Sequence, residues 1–152
     1  MTDWVVDEPR DADFERWREL YRGYAEFYEV EQSEEQAARV WSWLHDPAHE
    51  QRALVVRDAT RAPQGLAHYR PFARPLRAGT GGFLDDLYVD PVHRGSGAVD
   101  ALLGRLREIA RAEGWDVIRW ITADDNYRAR AKYDQVATRT SWITYDMVPD
   151  LR

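Results

Sequence analysis

The chain of 152 residues carries seven Trp, eight Tyr and four Phe, enough large apolar side chains for the core of one domain, expected over residues 1–152. Its formal charge of −6 excludes the basic footprint that nucleic acid requires. No run approaches the about 18 apolar residues of a membrane span, and Met1-Thr2-Asp3-Trp4 lacks a leader's basic and apolar regions, so a soluble cytoplasmic protein without a membrane partner is expected.

Taken in order, Trp4 to Val6 reads as an edge strand, and Asp11 to Asp13 can open a helix with Phe14, Trp17, Leu20, Tyr21 and Tyr24 at helical spacing. Ser33-Glu34-Glu35-Gln36 is a capping-box pattern that opens a second helix. Arg52 to Arg57 and Gly65 to Arg74 read as strands, Leu76 to Gly82 as a hairpin loop with three glycines, and Phe83 to Val89 as the next strand. From Ala98 the spacing turns helical again, with Val99, Leu102, Leu103, Leu106, Ile109 and Ala110 on one face. Val117 to Thr122 is a strand, Tyr127 to Val136 a short helix, and Trp142 to Met147 the last strand.

The segment between the strand at Phe83 and the helix at Ala98 is the most informative. First-turn N–H groups of a helix have no internal partners and carry the positive end of its dipole. Gly95 and Gly97 allow a backbone that turns successive N–H groups inward, so the loop suits a phosphate or pyrophosphate. It is neither of the commoner phosphate motifs: no Gly-Lys-Ser/Thr occurs, and a dinucleotide fingerprint would need glycine where Asp100 stands.

Arg94-Gly95-Ser96-Gly97-Ala98-Val99, following Leu87-Tyr88-Val89, resembles the acyl-CoA pyrophosphate loop of the GNAT N-acetyltransferase superfamily, Gln/Arg-x-x-Gly-x-Gly/Ala, with Val99 at the usual final Gly/Ala position. Downstream, Asn126 followed seven residues later by Tyr133 resembles the second signature of that superfamily, although Ala137-Thr138 stand where many relatives have Gly-Phe. The resemblance spans most of the chain and is closest to diamine-acetyltransferase-like members. It implies an α/β fold with a mixed, mostly antiparallel sheet flanked by helices, acetyl-CoA as co-substrate, and a homodimer as a possible assembly.

The resemblance also implies roles. Leu87 to Val89 and Arg94 to Val99 would hold acetyl-CoA, Asn126 would contact the pantetheine arm, and Tyr133 would protonate the departing thiolate. Phenols stay protonated at neutral pH, which suits that role. Asp85 and Asp86 would handle the amine, Asp85 in the catalytic step and Asp86 in substrate binding. By strand alternation only one of them faces a given cleft unless the strand is distorted. Tyr24, Phe27, Tyr28 and Glu29 leave the first helix where the family builds its acceptor wall, and Tyr28 is assigned to substrate. Arg94, Arg128 and Arg130 supply positive charge for an anionic acyl-CoA on an acidic chain.

With no cysteine in the chain, a thiol acyl-enzyme is excluded and transfer would be direct. The four histidines, His45, His49, His68 and His93, lack metal-ligand spacing and no metal is expected, with His68 nearest the cleft. The reading is an acetyl-CoA-dependent N-acetyltransferase acting on a small, cationic primary amine. A protein or peptide N-acetyltransferase and a non-catalytic acyl-CoA-binding regulatory domain are the alternatives. The presence of both Asn126 and Tyr133 speaks against the second.

Overall fold

In the computed structural model, residues 3–150 are described, so residues 1–2 and 151–152 of the expected domain lie outside the description. The chain forms two compact units, one ending at Trp120 and the other beginning at Ile121. The first unit runs β1 (Val5–Asp7), α1 (Phe14–Phe27), α2 (Glu34–Leu44), β2 (Arg52–Arg57), β3 (Pro63–Arg74), β4 (Gly79–Val89), α3 (Ala98–Glu113) and β5 (Ile118–Arg119). The second contains α4 (Tyr127–Val136). The five strands lie in sheet order β1 to β5, antiparallel except for the parallel pair β4 and β5. This is the mixed, mostly antiparallel sheet flanked by helices that was expected. No described helix is long and apolar enough to cross a membrane.

The sheet has two faces because its strands alternate. Leu54, Val56, Ala67, Tyr69 and Leu84 bury one face against Ala98, Leu102 and Leu106 of α3. Leu66 packs on the other face against Trp17 and Leu20 of α1 and Ala37 of α2. Ser33 caps α2 through the expected box, accepting from the Gln36 N–H while the Gln36 side chain accepts from the Ser33 N–H. Asp13 stands at the N-cap of α1 but does not cap it. Its carboxylate instead takes two hydrogen bonds from the buried Arg57, at 2.8 and 2.6 Å, while the Arg57 Nε bonds Asp7 at 2.6 Å.

Three sequence expectations are corrected. The hairpin turn is confined to Pro75–Arg77 and Ala78, and β4 begins at Gly79 rather than after Gly82. Gly82 is part of the strand, paired with Pro71 and Ile118, and a Cβ there would lie 2.5 Å from the Trp115 ring; the glycine makes room for an aromatic plane rather than a turn. The strand expected from Val117 to Thr122 is only the two residues of β5, paired with Gly82 and Phe83. Trp142 to Met147, expected as the last strand, is not a strand. Its apolar residues Trp142, Ile143, Tyr145 and Met147 are exposed. High β-propensity alone does not make a strand where no neighbouring backbone completes the ladder.

Candidate active site

The Gly-rich loop has the geometry of an anion cradle. Asp90 accepts from the Val92 N–H and closes a tight turn, and Gly95 and Gly97 adopt positive φ of 73° and 92°. In α3 the Ala101 N–H donates to the Gly97 carbonyl, so the N–H groups of the first turn stay outside the helix ladder. A Cβ at Gly95 would meet nothing within 4 Å, and at Gly97 only Trp4 at 4.0 Å, so the space before the loop is open. The Ser96 hydroxyl oxygen is buried and lacks a hydrogen-bond partner. Trp4 braces the loop from below, donating its indole N–H to the Ser96 carbonyl at 3.0 Å and meeting His93 edge-on. Open space before the loop and first-turn N–H groups outside the helix ladder fit a pyrophosphate. Ala98 is buried, Val99 half-buried, and Arg94 exposed at the rim.

Behind the loop, Leu87 and Val89 pack with the α3-side core while Tyr88 turns to the α1 side, 6.2 Å from the Tyr24 ring. Pairing of β4 with β5 stops after Phe83. The edge of β4 from Leu84 to Val89 that faces away from β3 therefore continues without a strand partner in this unit, which leaves backbone donors available beside the loop.

The acidic pair is shaped by a bulge. His68 pairs with Asp86 and Tyr69 pairs with Leu84, so Asp85 is an extra residue in β4. Asp86 reaches His68, and Asp85 accepts from Arg70 Nε at 3.1 Å and Gln51 Nε2 at 2.8 Å. Arg70 stands two residues beyond His68 and shares its face of the sheet. Both aspartates therefore project on the α1 side, and the alternation that would have turned one of them away does not operate here.

Their surroundings differ. Asp85 is compensated by a guanidinium, whereas Asp86 accepts from an imidazole nitrogen and two phenols: His68 Nδ1 at 2.8 Å, the Tyr21 hydroxyl at 2.9 Å, and the Tyr24 hydroxyl. Burial pushes the Asp86 carboxyl up, and the hydrogen bond and electrostatic attraction of His68, with the hydrogen bonds from Tyr21 and Tyr24, outweigh it and hold the group below the ordinary aspartate range. The same burial, with the neighbouring Asp86 charge, raises Tyr21 and Tyr24 well above the usual phenol value, so both remain protonated donors. A carboxylate offers about four acceptor positions. Three are taken, and the aromatic faces of Tyr21, Tyr24 and Tyr28 stand in sequence beside it, Tyr24 meeting Tyr28 edge-on at 4.9 Å.

Tyr28 ends α1 and is 41% exposed, next to the exposed Phe27. Sequence reading missed the parts played by Trp17, Tyr21, Gln51 and Arg70, and it held His68 only as a neighbour of the cleft. The available signal was a histidine inside the buried run Leu66-Ala67-His68-Tyr69, a setting that obliges both ring nitrogens to find partners.

In the second unit Asn126 is the N-cap of α4, its side-chain oxygen accepting from the Ala129 N–H at 3.4 Å. Its amide nitrogen takes no part in this cap. Tyr133 lies nearly two turns along α4 and is half-buried. Arg128 is exposed on the first turn, and Arg130 bonds the Asp124 carbonyl and lies over the Tyr127 ring. Among the described residues no group of three or more His, Asp or Glu is arranged to hold a metal.

Residues 15–137 match the acetyltransferase (GNAT) family, and the chain belongs to it. It is an N-acetyltransferase that uses acetyl-CoA. A D-amino-acid N-acetyltransferase of Saccharomyces cerevisiae is 27% identical over 139 residues, 91% of this chain and 85% of that one. Among solved structures, the ribosomal-protein-alanine N-acetyltransferase of Brucella melitensis biovar Abortus superposes with a TM-score of 0.77 at 21% identity, covering 97% of this chain and 99% of that one. The aminoglycoside N-acetyltransferase AAC(6')-Iy, solved with CoA, gives a TM-score of 0.82 at 12% identity over 99% and 97%. At these identities the two structures bear on the fold.

Proposed function

We propose that this acetyltransferase acts on a small primary amine bound as a cation, with Asp86 as its anchor. The observation that carries the reading is a largely buried carboxylate, held below the ordinary aspartate range, that takes hydrogen bonds from His68, Tyr21 and Tyr24 and, among the described residues, pairs with no guanidinium or ammonium, so that one of its about four acceptor positions is left. An ammonium N–H supplies both the missing hydrogen bond and the missing charge. Asp85 already has Arg70, so one cationic group satisfies the site and a monoamine suits it better than a diamine.

Acetyl-CoA, when bound, supplies an activated acyl group on a thioester. The loop from Arg94 to Val99 holds its pyrophosphate on backbone N–H groups, with Arg94 at the rim, and Asn126 offers its amide to the pantetheine arm. Backbone donors of the open β4 edge at Leu87 to Val89 polarise the thioester carbonyl. An aspartate below the ordinary range is too weak to take a proton from an alkylammonium near 10, so Asp86 binds and orients the cation while water carries the proton away. Tyr133 donates its phenol proton to the departing thiolate. With no cysteine in the chain, transfer is direct.

The yeast relative favours a second reading, an α-amino acid acceptor. The test is a panel of benzylamine, cadaverine, D-phenylalanine and an alanine-ended peptide with acetyl-CoA, read by release of free thiol. Benzylamine turnover exceeding that of cadaverine supports the monoamine site. Turnover of D-phenylalanine alone favours the second reading, and of the peptide alone overturns the small-molecule assignment.

A further inference from the structure

We propose that Trp17 and His68 form a tautomer lock that positions Asp86 and keeps its charge available to the acceptor. The proposal rests on the reading of Asp86 as the cation anchor. An indole N–H can only donate, and Trp17 Nε1 lies 3.0 Å from His68 Nε2 in a fully buried contact. Nε2 must therefore be the acceptor nitrogen, so the ring proton sits on Nδ1, which points at Asp86 Oδ2 at 2.8 Å. While Trp17 occupies the Nε2 lone pair, the imidazole has no place for a second proton. This matters because an imidazolium at this spot would itself cancel the Asp86 charge and occupy the role of the substrate cation.

The surroundings do nothing to reverse this. From α1, His68 meets Trp17 and the Tyr21 ring edge-on at 4.7 Å. From β4 it meets Asp86, with the compensated pair Asp85–Arg70 one step further along the face. From β2 its partner is Ala53, which is apolar, and from α2 the Trp41 ring packs on Trp17. Trp17 is fully buried and is held on both sides, by Trp41 at 4.9 Å and Phe14 at 6.3 Å between ring centroids. The indole therefore has little freedom to turn away from Nε2. The lock also explains why a tryptophan is needed here: phenylalanine would fill much of the same volume and leave Nε2 bare.

Histidine-selective ¹⁵N labelling tests the lock without any ligand. In the wild type His68 should show the Nδ1–H tautomer with Nε2 unprotonated, since the indole N–H is donated to Nε2. In Trp17→Phe Nε2 loses its indole donor, and the ring should populate the Nε2–H tautomer as well. A ring without its Nδ1 proton no longer donates to Asp86, so the benzylamine KM of this variant should rise by about tenfold at most relative to wild type. Its kcat and its KM for acetyl-CoA should change far less.

His68→Phe, which removes the donor to Asp86, should raise the benzylamine KM about 10- to 100-fold. His68→Asn, whose amide can donate from near the Nδ1 position, should recover most of that loss. An Nε2–H tautomer in the wild type, an unchanged tautomer in a folded Trp17→Phe protein, or wild-type KM in His68→Phe overturns the lock. If Trp17→Phe does not fold, the wild-type tautomer and the two His68 variants still decide. Failure of the underlying reading looks different: Asp86→Asn would then leave benzylamine kinetics unchanged whatever the His68 tautomer.

Discussion

Replacing Asp86 by asparagine removes one charge and almost no volume. The Asn oxygen can keep accepting from His68 Nδ1 and the Tyr21 hydroxyl, which meet on a single carboxylate oxygen. The amide NH₂ then occupies the second position, where it opposes an incoming ammonium. An ammonium and a carboxylate about 4 Å apart attract by about 4 kcal/mol at an effective dielectric near 20, the regime of a side chain only 18% exposed. The ammonium gives up part of its hydration on entry, so truncating the pair costs about 2–4 kcal/mol. That corresponds to a loss of about 30- to 10³-fold in kcat/KM for a cationic amine. The assay is free-thiol release with benzylamine at saturating acetyl-CoA, with the acetyl-CoA KM as the control that should not move. Because the carboxylate is mostly buried, the gap should persist at high salt. An Asn variant whose kcat/KM for benzylamine stays within about twofold of the parent refutes the reasoning.

Asp85→Asn should cost less, about tenfold at most, acting through an Arg70 left without its partner rather than through the acceptor itself; comparing acceptor KM in the two Asn variants checks this. Gly97→Val should strain a backbone held at φ 92° by about 1–2 kcal/mol while its Cβ meets no atom closer than 4.0 Å, so the protein should fold with a lowered Tm and bind acetyl-CoA more weakly by calorimetry. Tyr133→Phe should lower kcat by about 10²–10⁴-fold with acetyl-CoA affinity retained, measured under single-turnover conditions so that product release does not mask chemistry. Asp13→Asn should cost about 3 kcal/mol in urea unfolding at neutral pH, since it breaks a buried pair although Arg57 keeps Asp7. Burial raises the Asp13 carboxyl, but the Arg57 hydrogen bonds and charge and the Arg10 N–H outweigh this and depress it in the fold. Its contribution is therefore complete above the unfolded value of about 3.9 and fades as pH falls below it, where wild type and variant should converge.

Local periodicity carried most of the fold. The helical spacing after Ala98, the capping box at Ser33 and the bounds of β2 and α4 are all set by near neighbours, and all were legible. What the sequence concealed depends on distant groups. Gly81 and Gly82 look like turn residues until the rings of Phe72 and Trp115 are seen where side chains would have been. Trp142 to Met147 alternates like a strand, yet a strand exists only where another backbone pairs with it. Asp13 looks like a helix cap until Arg57, 44 positions away, claims its carboxylate. The site shows the same division. The Gly-rich turn into α3 is contiguous and was readable, whereas the surroundings of Asp86 come from α1, β3 and β4, and no spacing along the chain records that Trp17 touches His68.

The bulge at Asp85 bears on how this chain should be aligned with its relatives. Removing that one residue would restore plain alternation between Leu84 and Asp86 and leave the pairings on both sides in register. A relative that lacks the bulge is thus one residue shorter at this point, and a gap there falls inside the acidic pair. Column matching can place a relative's single aspartate on Asp85 or on Asp86 with equal score, although one is neutralised by an arginine and the other is not. Transfer of an acceptor-side role across the family should therefore follow the cross-strand partner, the residue facing His68, and not the alignment column.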